Sequence, residues 1–352
     1  MVQIITDSSV MYTEDEAKAM GFEAIPLCIH IGDLEGRDLQ IDMEEFYRRI
    51  QEGQVPRSSQ PPIGEVLDAY ARYPQDEIVH ISIAEGLSGT YHGACSAREM
   101  TENPERITVF NSRTLCGPHR YMTEQAQKMK EEGRSASEIL EWLKEAAQKT
   151  ESFLIPQDFS FLKRGGRLTP VAAALGSVLK LKPVMKLTED GTRIDNFFVK
   201  RTMSAAVKGI MEYMKQKDIG QNHILYIVHA AAKKEAENIR TMFETAFAGL
   251  EIHILELSPV FVAQGGPKCV AIQYIHRLIL NVFVPVYKNS WLITLYGISQ
   301  EFLVYRSSFK SPSLIQPIFR SASPKIKVNT AGRRKQTKRI PSHILVPPPM
   351  AV

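Results

Sequence analysis

Hydroxyl-bearing side chains cluster at three places in the first third of the sequence, each directly after a short apolar run. The clusters occupy residues 6–9, 86–91 and 111–114, and a fourth pair of hydroxyls, at residues 58–59, lies in a predicted loop before a segment with helical periodicity. Loops that follow neighbouring strands of an open α/β sheet converge on one crevice, where ligands bind. Hydroxyls and loop amides there suit a carboxylate or a phosphate, although the same residue types also cap helices. The pattern predicts a site for an anionic group, with helix capping as the alternative.

Ser88 also raises the hypothesis of nucleophilic catalysis. Residues 86–90 read Gly-Leu-Ser-Gly-Thr and miss the Gly-x-Ser-x-Gly elbow, because Thr90 stands where the second glycine is required. Histidines are available as bases, but none has a spacing that marks it for that role. A serine-dependent acyl hydrolase using Ser88 is therefore the alternative function. Walker A, Gly-x-Gly-x-x-Gly, His-Glu-x-x-His and EF-hand patterns are absent from the sequence, so we predict no catalytic residue, cofactor or metal site.

Positive charge is concentrated between Phe161 and Arg201. This stretch contains nine Lys and Arg residues against three acidic ones. Its Gly165-Gly166 pair, flanked by cations, would allow a close approach to an anionic group. The alternative is an ordinary solvated surface. Within the same stretch, residues 171–179 predict an apolar helix of small side chains.

Short β-rich runs alternate with helical patterns through the first 280 residues. Thr13 with Glu16, and Ser135 with Glu138, form capping boxes that predict the starts of two helices. Strand–helix alternation predicts an α/β fold with mostly parallel sheets, in an N-terminal domain over residues 1–150 and a C-terminal domain over residues 151–280. The predicted strands are 2–6, 23–31, 78–83, 107–110, 152–155, 224–228, 252–257 and 260–263.

The composition is that of a globular protein followed by a basic tail. The chain has 352 residues and a formal net charge of +4. Residues 281–352 carry eleven Lys and Arg and one acidic residue, whereas the first 280 residues carry 32 basic and 38 acidic ones. The tail also holds 8 of the 20 prolines, so we predict a disordered extension. Nucleic-acid binding by this tail is the alternative, and we expect no nucleic-acid partner.

Features of the N-terminus and of the cysteines favour a cytoplasmic protein. The four cysteines lie far apart without a Cys-x-x-Cys pair, as expected for reduced thiols. The first residues form a strand-like run rather than a signal peptide. The longest apolar region, residues 278–298, is interrupted by polar residues and proline, which argues against a membrane span.

Seven short motifs, taken in order, resemble the DegV family of bacterial fatty-acid-binding proteins. The resemblance covers roughly residues 1–280 and implies two α/β domains with a ligand cleft between them. It implies a long-chain fatty acid as the bound ligand, which a separate ATP-dependent fatty acid kinase subunit phosphorylates for phospholipid synthesis. It is also compatible with transient contact with a membrane surface. The motifs are residues 6–9, 58–61, 87–91, 163–167, 182–183, 200–201 and 266–267.

The resemblance also implies roles for individual residues. The fatty-acid carboxylate would be held by Ser58 and Ser88, where Ser58 replaces the threonine that is usual in the family. Arg167 and Arg201 match cationic positions associated with the kinase or the phosphorylated head group.

Ser59 and Gln264 are further candidates for contact with the head group or the partner. Gln264 stands where the family usually has a histidine, two residues before a Gly-Pro pair. A glutamine can hydrogen-bond to an oxygen, but it carries no positive charge and transfers no proton.

Overall fold

The computed structural model describes residues 1–174 and 181–278, together with two short strands further along the chain. The chain divides into two units, residues 1–279 and residues 280–352. In the second unit, strands Leu292–Thr294 and Val304–Arg306 pair in antiparallel orientation. The remainder of the predicted disordered tail, most of the 278–298 apolar region and residues 175–180 of the predicted apolar helix lie outside the described residues. No described helix is both long and apolar enough to span a bilayer.

The first half of unit one contains a four-stranded parallel sheet and a smaller antiparallel sheet. The strands of this half are β1 (Val2–Asp7), β2 (Glu23–Ile25), β3 (Cys28–Ile31), β4 (Leu34–Arg37), β5 (Arg57–Ser59), β6 (Glu77–Ser82) and β7 (Ile107–Asn111). The parallel sheet has the order β2-β1-β6-β7, and the antiparallel sheet has the order β4-β3-β5. The helices of this half are α1 (Glu14–Ala19), α2 (Met43–Gln51), α3 (Ile63–Ala71), α4 (Thr90–Glu99), α5 (Cys116–Glu131) and α6 (Ala136–Ala147).

The second half contains a six-stranded sheet. Its strands are β8 (Thr150–Ile155), β9 (Lys182–Leu187), β10 (Ile194–Lys200), β11 (His223–His229), β12 (Glu251–Glu256) and β13 (Val270–His276). They lie in the order β10-β9-β8-β13-β11-β12. Helix α5 contacts strands of this sheet as well as β1, so it lies between the two large sheets. The helices are α7 (Phe159–Gly165), α8 (Pro170–Ala173), α9 (Met203–Gln216), α10 (Lys233–Ala246) and α11 (Pro259–Gly265).

The α/β prediction is confirmed, but the expectation of mostly parallel sheets needs correction for the second sheet. Its β11–β12 pair is parallel, whereas its other described pairs are antiparallel. For β9 and β10, the antiparallel orientation follows from their connection, a short turn in which Gly191 has a φ of +72°. A short turn can connect only antiparallel strands, because parallel strands need a long crossover. Strand β8 begins at Thr150, and the domain boundary at residue 150 stays a prediction.

Both predicted capping boxes are present. The Thr13 hydroxyl accepts from the Glu16 amide, and the Glu16 carboxylate accepts from the Thr13 amide. Ser135 and Glu138 make the same reciprocal pair at the start of α6.

Two strand predictions need correction. The predicted strand 23–31 is interrupted at Pro26, where proline has no amide to donate to a ladder.

The predicted strand at residues 260–263 is wrong, because these residues belong to α11. Ser258 is the N-cap residue and Pro259 occupies the first helical turn, where its missing amide costs nothing. All four apolar side chains of the run are buried. A short, fully buried apolar run has no periodicity that distinguishes a strand from a helix.

A buried carboxylate, Asp38, connects the start of α11 to the first sheet. Its Oδ2 accepts from the Ser8 hydroxyl at 2.8 Å and from the Ser258 hydroxyl at 3.0 Å. Its Oδ1 accepts from the Val260 amide at 3.2 Å. Ser8 follows β1, so one side chain ties the end of a central strand to the first turn of a helix more than 200 residues later.

The pH dependence of stability is expected to report on Asp38. Burial raises the pKa of its carboxyl group from 3.8 to about 6. Between pH 4 and pH 6 the folded chain keeps a proton that the unfolded chain has released. The free energy of unfolding should therefore fall as pH rises through this window, by roughly 3 kcal/mol.

The measurement is urea unfolding of the wild type and of Asp38→Asn at several pH values. The wild type should lose stability relative to the variant between pH 4 and pH 6, and the difference should then stay constant. Asp68→Asn, which alters an exposed carboxylate on α3, should follow the wild-type curve. A constant difference between the wild type and Asp38→Asn from pH 4 to pH 7 would contradict this account.

Candidate functional site

Five of the six residues predicted to contact a ligand or partner line one cavity of about 100 Å³, here called the serine cavity. It combines polar groups from four separate stretches of chain with apolar side chains of both halves. Arg201 is exposed, follows the end of β10 and does not line this cavity. The polar side chains are Ser58, Ser59, Gln60, Ser88, Arg167 and Gln264.

Ser58 is held by backbone pairing and by one amide. The sequence predicted a loop here, but Ser58 lies on β5, opposite Ile29 of β3. The Gln264 side chain, on α11, donates from Nε2 to Ser58 Oγ at 3.0 Å. Because the hydroxyl accepts this hydrogen bond, its own hydrogen is available to a ligand oxygen.

Ser88 lies in the loop immediately before α4. Its Oγ is 2.8 Å from Thr90 Oγ1 and accepts from the Thr90 amide at 3.3 Å. Gly89 occupies the N-cap position of this ten-residue helix and provides no side-chain cap. The partial positive charge at a helix N-terminus favours an anion, so Ser88 lies where a carboxylate would be stabilised.

Arg167 brings a half-buried positive charge to the same cavity. Its Nε donates to the Leu87 carbonyl at 3.1 Å, and its guanidinium also donates to the Gly165 carbonyl. Burial, and then the nearby Arg193, lower its pKa, but a guanidinium keeps its proton in proteins. Carbonyl partners orient this cation without neutralising it, and it can therefore attract an anionic ligand.

Two glycines of the motifs are explained by close approach rather than by turn geometry. A Cβ at Gly89 would meet the amide oxygen of Gln60, and a Cβ at Gly165 would meet the amide oxygen of Gln264. These positions let two glutamine side chains reach the cavity wall. The glycines in the motifs therefore have a packing reason that the sequence did not reveal.

An apolar cavity of about 80 Å³ continues from the serine cavity. The two share several lining residues, including Leu115, Leu162 and Phe261, whereas neither Ser58 nor Ser88 lines the apolar one. Both are small against the roughly 300–1,000 Å³ of typical ligand pockets, so a long ligand can enter only if the lining side chains move apart.

Two cysteines in the apolar cavity stay neutral. Burial raises the pKa of Cys269 to about 12 and that of Cys116 well above its usual value.

The sequence did not predict most of the apolar lining, because the lining residues come from many elements and share no periodicity. They carry no motif that would identify them.

The other hydroxyl clusters support the loops instead of lining the serine cavity. Ser9 Oγ lies 2.7 Å from His119 Nδ1, and the Asp7 carboxylate accepts from the Ile83 amide at 2.9 Å. Residues 6–9 are fully or almost fully buried. The helix-capping alternative is also supported here, since Asp7 accepts from the Ser9 amide at the start of a short 3-10 turn.

The surroundings of Ser88 do not provide a general base. Within residues 1–174 and 181–278, no histidine lines either cavity. His80 is instead hydrogen-bonded to Tyr70, and His119 to Ser9. In the same part of the chain, no group of three or more His, Cys, Asp or Glu side chains is placed to hold a metal ion.

The sequence model of the DegV family, described as uncharacterised proteins, matches residues 1–277. The chain belongs to the DegV family. A curated DegV domain-containing protein of Staphylococcus aureus, SA1258, is 28% identical over 277 residues, which cover 76% of this chain and 96% of that protein. A second one, BH3627 of Halalkalibacterium halodurans, is 25% identical and covers 78% and 98%.

Solved DegV structures share the fold. The crystal structure of DegV from Bacillus subtilis, described as a fatty acid binding protein, has a TM-score of 0.69 and 25% identity, and covers 78% of this chain and 99% of that one. A DegV family protein from Eubacterium eligens, described as loaded with heptadecanoic acid, has a TM-score of 0.69 and 23% identity, and covers 79% and 100%. The DegV fold therefore extends over residues 1–277 and ends before the basic tail.

The close approach of Gln264 to Gly165 can be tested by a double-mutant cycle. Gly165→Ala should lower the free energy of unfolding by about 0.5–1.5 kcal/mol, because the new methyl group displaces the end of the Gln264 side chain and its hydrogen bond to Ser58 is lost. In a Gln264→Ala background most of this cost should disappear. Urea unfolding of the four proteins measures the coupling.

Gly166→Ala is the matched control. Gly166 has a φ of +72° with open space around its Cβ position, so alanine there is strained by backbone conformation alone. Its cost should be the same with and without Gln264. If the cost of Gly165→Ala were equally insensitive to Gln264, the packing explanation would be wrong.

Proposed function

We propose that this chain binds a long-chain fatty acid, with the carboxylate at Ser58 and Ser88 and the acyl chain in the apolar cavity. The observation that carries this proposal is that the two cavities share apolar lining residues, while Ser58, Ser88 and the Arg167 charge line only one of them. The DegV proteins of known structure described above as binding fatty acids support it. A fatty acid has the same polarity, with one anionic end and a long apolar remainder.

The energetics suit a carrier rather than a catalyst. About fifteen methylenes, each contributing roughly 0.8 kcal/mol on burial, would supply a gross gain of about 12 kcal/mol before the costs of ordering and of opening the cavity. The carboxylate must lose water, and that loss is offset by the Ser58 and Ser88 hydroxyls, the Arg167 charge and the start of α4. Burial of the acyl chain thus determines affinity, and the polar end determines orientation.

Ser58→Ala and Ser88→Ala should each weaken fatty-acid binding without unfolding the protein. Removing a hydroxyl that pairs with a buried carboxylate oxygen costs about 1–3 kcal/mol, or about 5- to 150-fold in affinity. Titration of delipidated protein with palmitate measures this directly. Ser96→Ala, on the exposed face of α4, is the control and should bind like the wild type.

Native mass spectrometry provides the independent check on the ligand itself. Purified wild-type protein should carry the mass of a C14–C18 fatty acid. A clean apo mass, with no uptake when palmitate is added, would refute the proposed function. Normal binding by both alanine variants would instead retain the function and remove the two serines from the site.

We further propose that the bound carboxylate is presented to a separate ATP-dependent fatty acid kinase in the cytoplasm, and that the acyl phosphate enters phospholipid synthesis. The serine cavity has an exposed rim residue, Ser59, so its polar end is close to the protein surface. Arg167 lies at this end, and the exposed Arg201 is available to a partner. This step needs no nucleophile from the carrier, because the carboxylate oxygen attacks the γ-phosphate and ADP leaves.

Arg201→Gln should reduce acyl-phosphate formation while leaving fatty-acid affinity unchanged. The assay mixes palmitate-loaded protein with ATP and an extract of the source organism, and traps acyl phosphate as a hydroxamate with hydroxylamine. Arg240→Gln, which removes a partly exposed arginine from α10, is the control. No hydroxamate above the level without carrier would refute presentation to a kinase. Equal yields from both variants would exclude Arg201 from the partner surface.

A further inference from the structure

A second cavity, here called the polar cavity, is much larger than the candidate fatty-acid site. Its volume is about 610 Å³, within the range of small-molecule binding sites. It shares no residue with the serine cavity and only Ser152 and Leu187 with the apolar one. It lies where the end of α6 and the loop after β7 meet residues of β8, β9, β11 and β13 of the second sheet. The fatty-acid proposal assigns it no role.

The lining of the polar cavity carries a net positive charge. Four Lys and Arg side chains line it, against two glutamates. Burial by itself would lower the pKa of Lys186, but hydrogen bonding to Tyr213 and the charge of Glu151 raise it, so Lys186 is protonated at neutral pH. The four cations are Arg113, Lys149, Lys186 and Lys217, and the glutamates are Glu151 and Glu189.

Arg113 is held in an uncommon conformation at the rim. Its φ is +57°, in the left-handed region that non-glycine residues seldom occupy. The Asn111 side chain accepts from the Arg113 amide at 2.9 Å and stabilises this conformation. The guanidinium then donates to the carbonyls of Glu189, at 3.1 Å, and Asp190, at 3.3 Å. Strained backbone conformations of this kind are common at ligand sites.

Polar atoms in the lining have unused hydrogen-bonding capacity. Thr114 Oγ1, Thr150 Oγ1, His276 Nδ1 and Glu151 Oε2 are buried and have no hydrogen-bond partner among the residues that the structure describes. The Thr114 side chain is 1% exposed, so this hydroxyl belongs to the interior. Burial, and then Lys149, lower the pKa of His276, which leaves a neutral ring that can donate or accept. The two hydroxyls and the imidazole, beside four cations, match a ligand with several oxygens and a negative charge, and Glu151 Oε2 can accept from a hydroxyl group of that ligand.

We propose that the polar cavity binds a small hydroxylated organic anion, a polycarboxylate or a phosphate ester. Lys149, Lys186 and Lys217 attract the anionic group, while Thr114 and His276 pair with hydroxyl or carboxyl oxygens of the ligand. The site is separate from the carboxylate end of the proposed fatty-acid site, because it contains none of the residues of the serine cavity and shares only Ser152 and Leu187 with the apolar one. The positive lining disfavours cations, and the volume accommodates a molecule of metabolite size.

Isothermal titration calorimetry with three probes tests the proposal. Citrate and ribose 5-phosphate share the proposed chemistry and differ in the anionic group, so they distinguish a carboxylate site from a phosphate site. Ribose lacks the charge and should not bind. At least one of the two anions should bind, and its affinity should fall as ionic strength rises. Absence of binding by both at millimolar concentration would overturn the proposal.

A charge-matched pair of double variants locates the binding. Lys149→Gln with Lys217→Gln removes two cations of the lining and should weaken anion binding by tenfold or more. Lys144→Gln with Lys215→Gln removes the same charge from exposed positions outside the cavity, on α6 and α9, the helices that end just before Lys149 and Lys217, and should bind like the wild type. Equal losses in the two pairs would show that only overall charge matters and would overturn the proposal.

Thr114→Val gives a readout that does not depend on charge. Its hydroxyl has no partner, so the isosteric valine should leave the free energy of unfolding unchanged or raise it. Anion affinity should nevertheless fall by about two- to tenfold, because one hydrogen bond to the ligand is lost. Palmitate binding should stay at the wild-type level. Unchanged anion affinity in Thr114→Val would place the bound anion elsewhere.

Discussion

The buried Asp38 carboxylate is the interaction on which the geometry of the candidate site depends. Taking a carboxylate out of water is costly, and three donors from two distant segments offset only part of that cost, so the pKa of Asp38 stays raised. Two of those donors, the Ser258 hydroxyl and the Val260 amide, belong to the first turn of α11. The helix is therefore fixed at its N-terminus by a residue of the other half of the molecule, and its orientation follows from that attachment.

Helix α11 transmits this constraint to the ligand site. It begins next to Asp38 and ends one turn beyond Phe261, and Val260, Phe261 and Gln264 all face the serine cavity. Gln264 then reaches across to Ser58 on β5. A shift of α11 would change both the apolar wall and the polar end at once. The position of the Ser58 hydroxyl therefore depends on this short helix, which holds its hydrogen-bond partner Gln264.

The sequence predicted the periodic and motif-bearing parts of this structure and missed those that depend on tertiary packing. Capping boxes are local, so both helix starts were predicted correctly. The short apolar run 260–263 does not distinguish a strand from a helix, and in the structure it is helical, with Ser258 as the N-cap residue and Pro259 in the first turn. Strands β9, β10 and β13 were not predicted, as their residues are interpretable only from their pairing across the second sheet. The motifs located Ser58, Ser88 and Gln264, but Asp38 and the polar cavity are set by contacts between distant segments.

Replacing the usual histidine of the DegV family by Gln264 changes how the polar end can hold an anion. A histidine there would donate a hydrogen bond and, when protonated near its ordinary pKa of about 6.5, would add a positive charge. The Gln264 amide makes the hydrogen bond to Ser58 at any pH and adds no charge. Electrostatic attraction for a carboxylate must then come from the Arg167 guanidinium and the start of α4, neither of which titrates near neutral pH. In the proposed fatty-acid site, Arg167 would accordingly supply the positive charge that a histidine at position 264 would have shared.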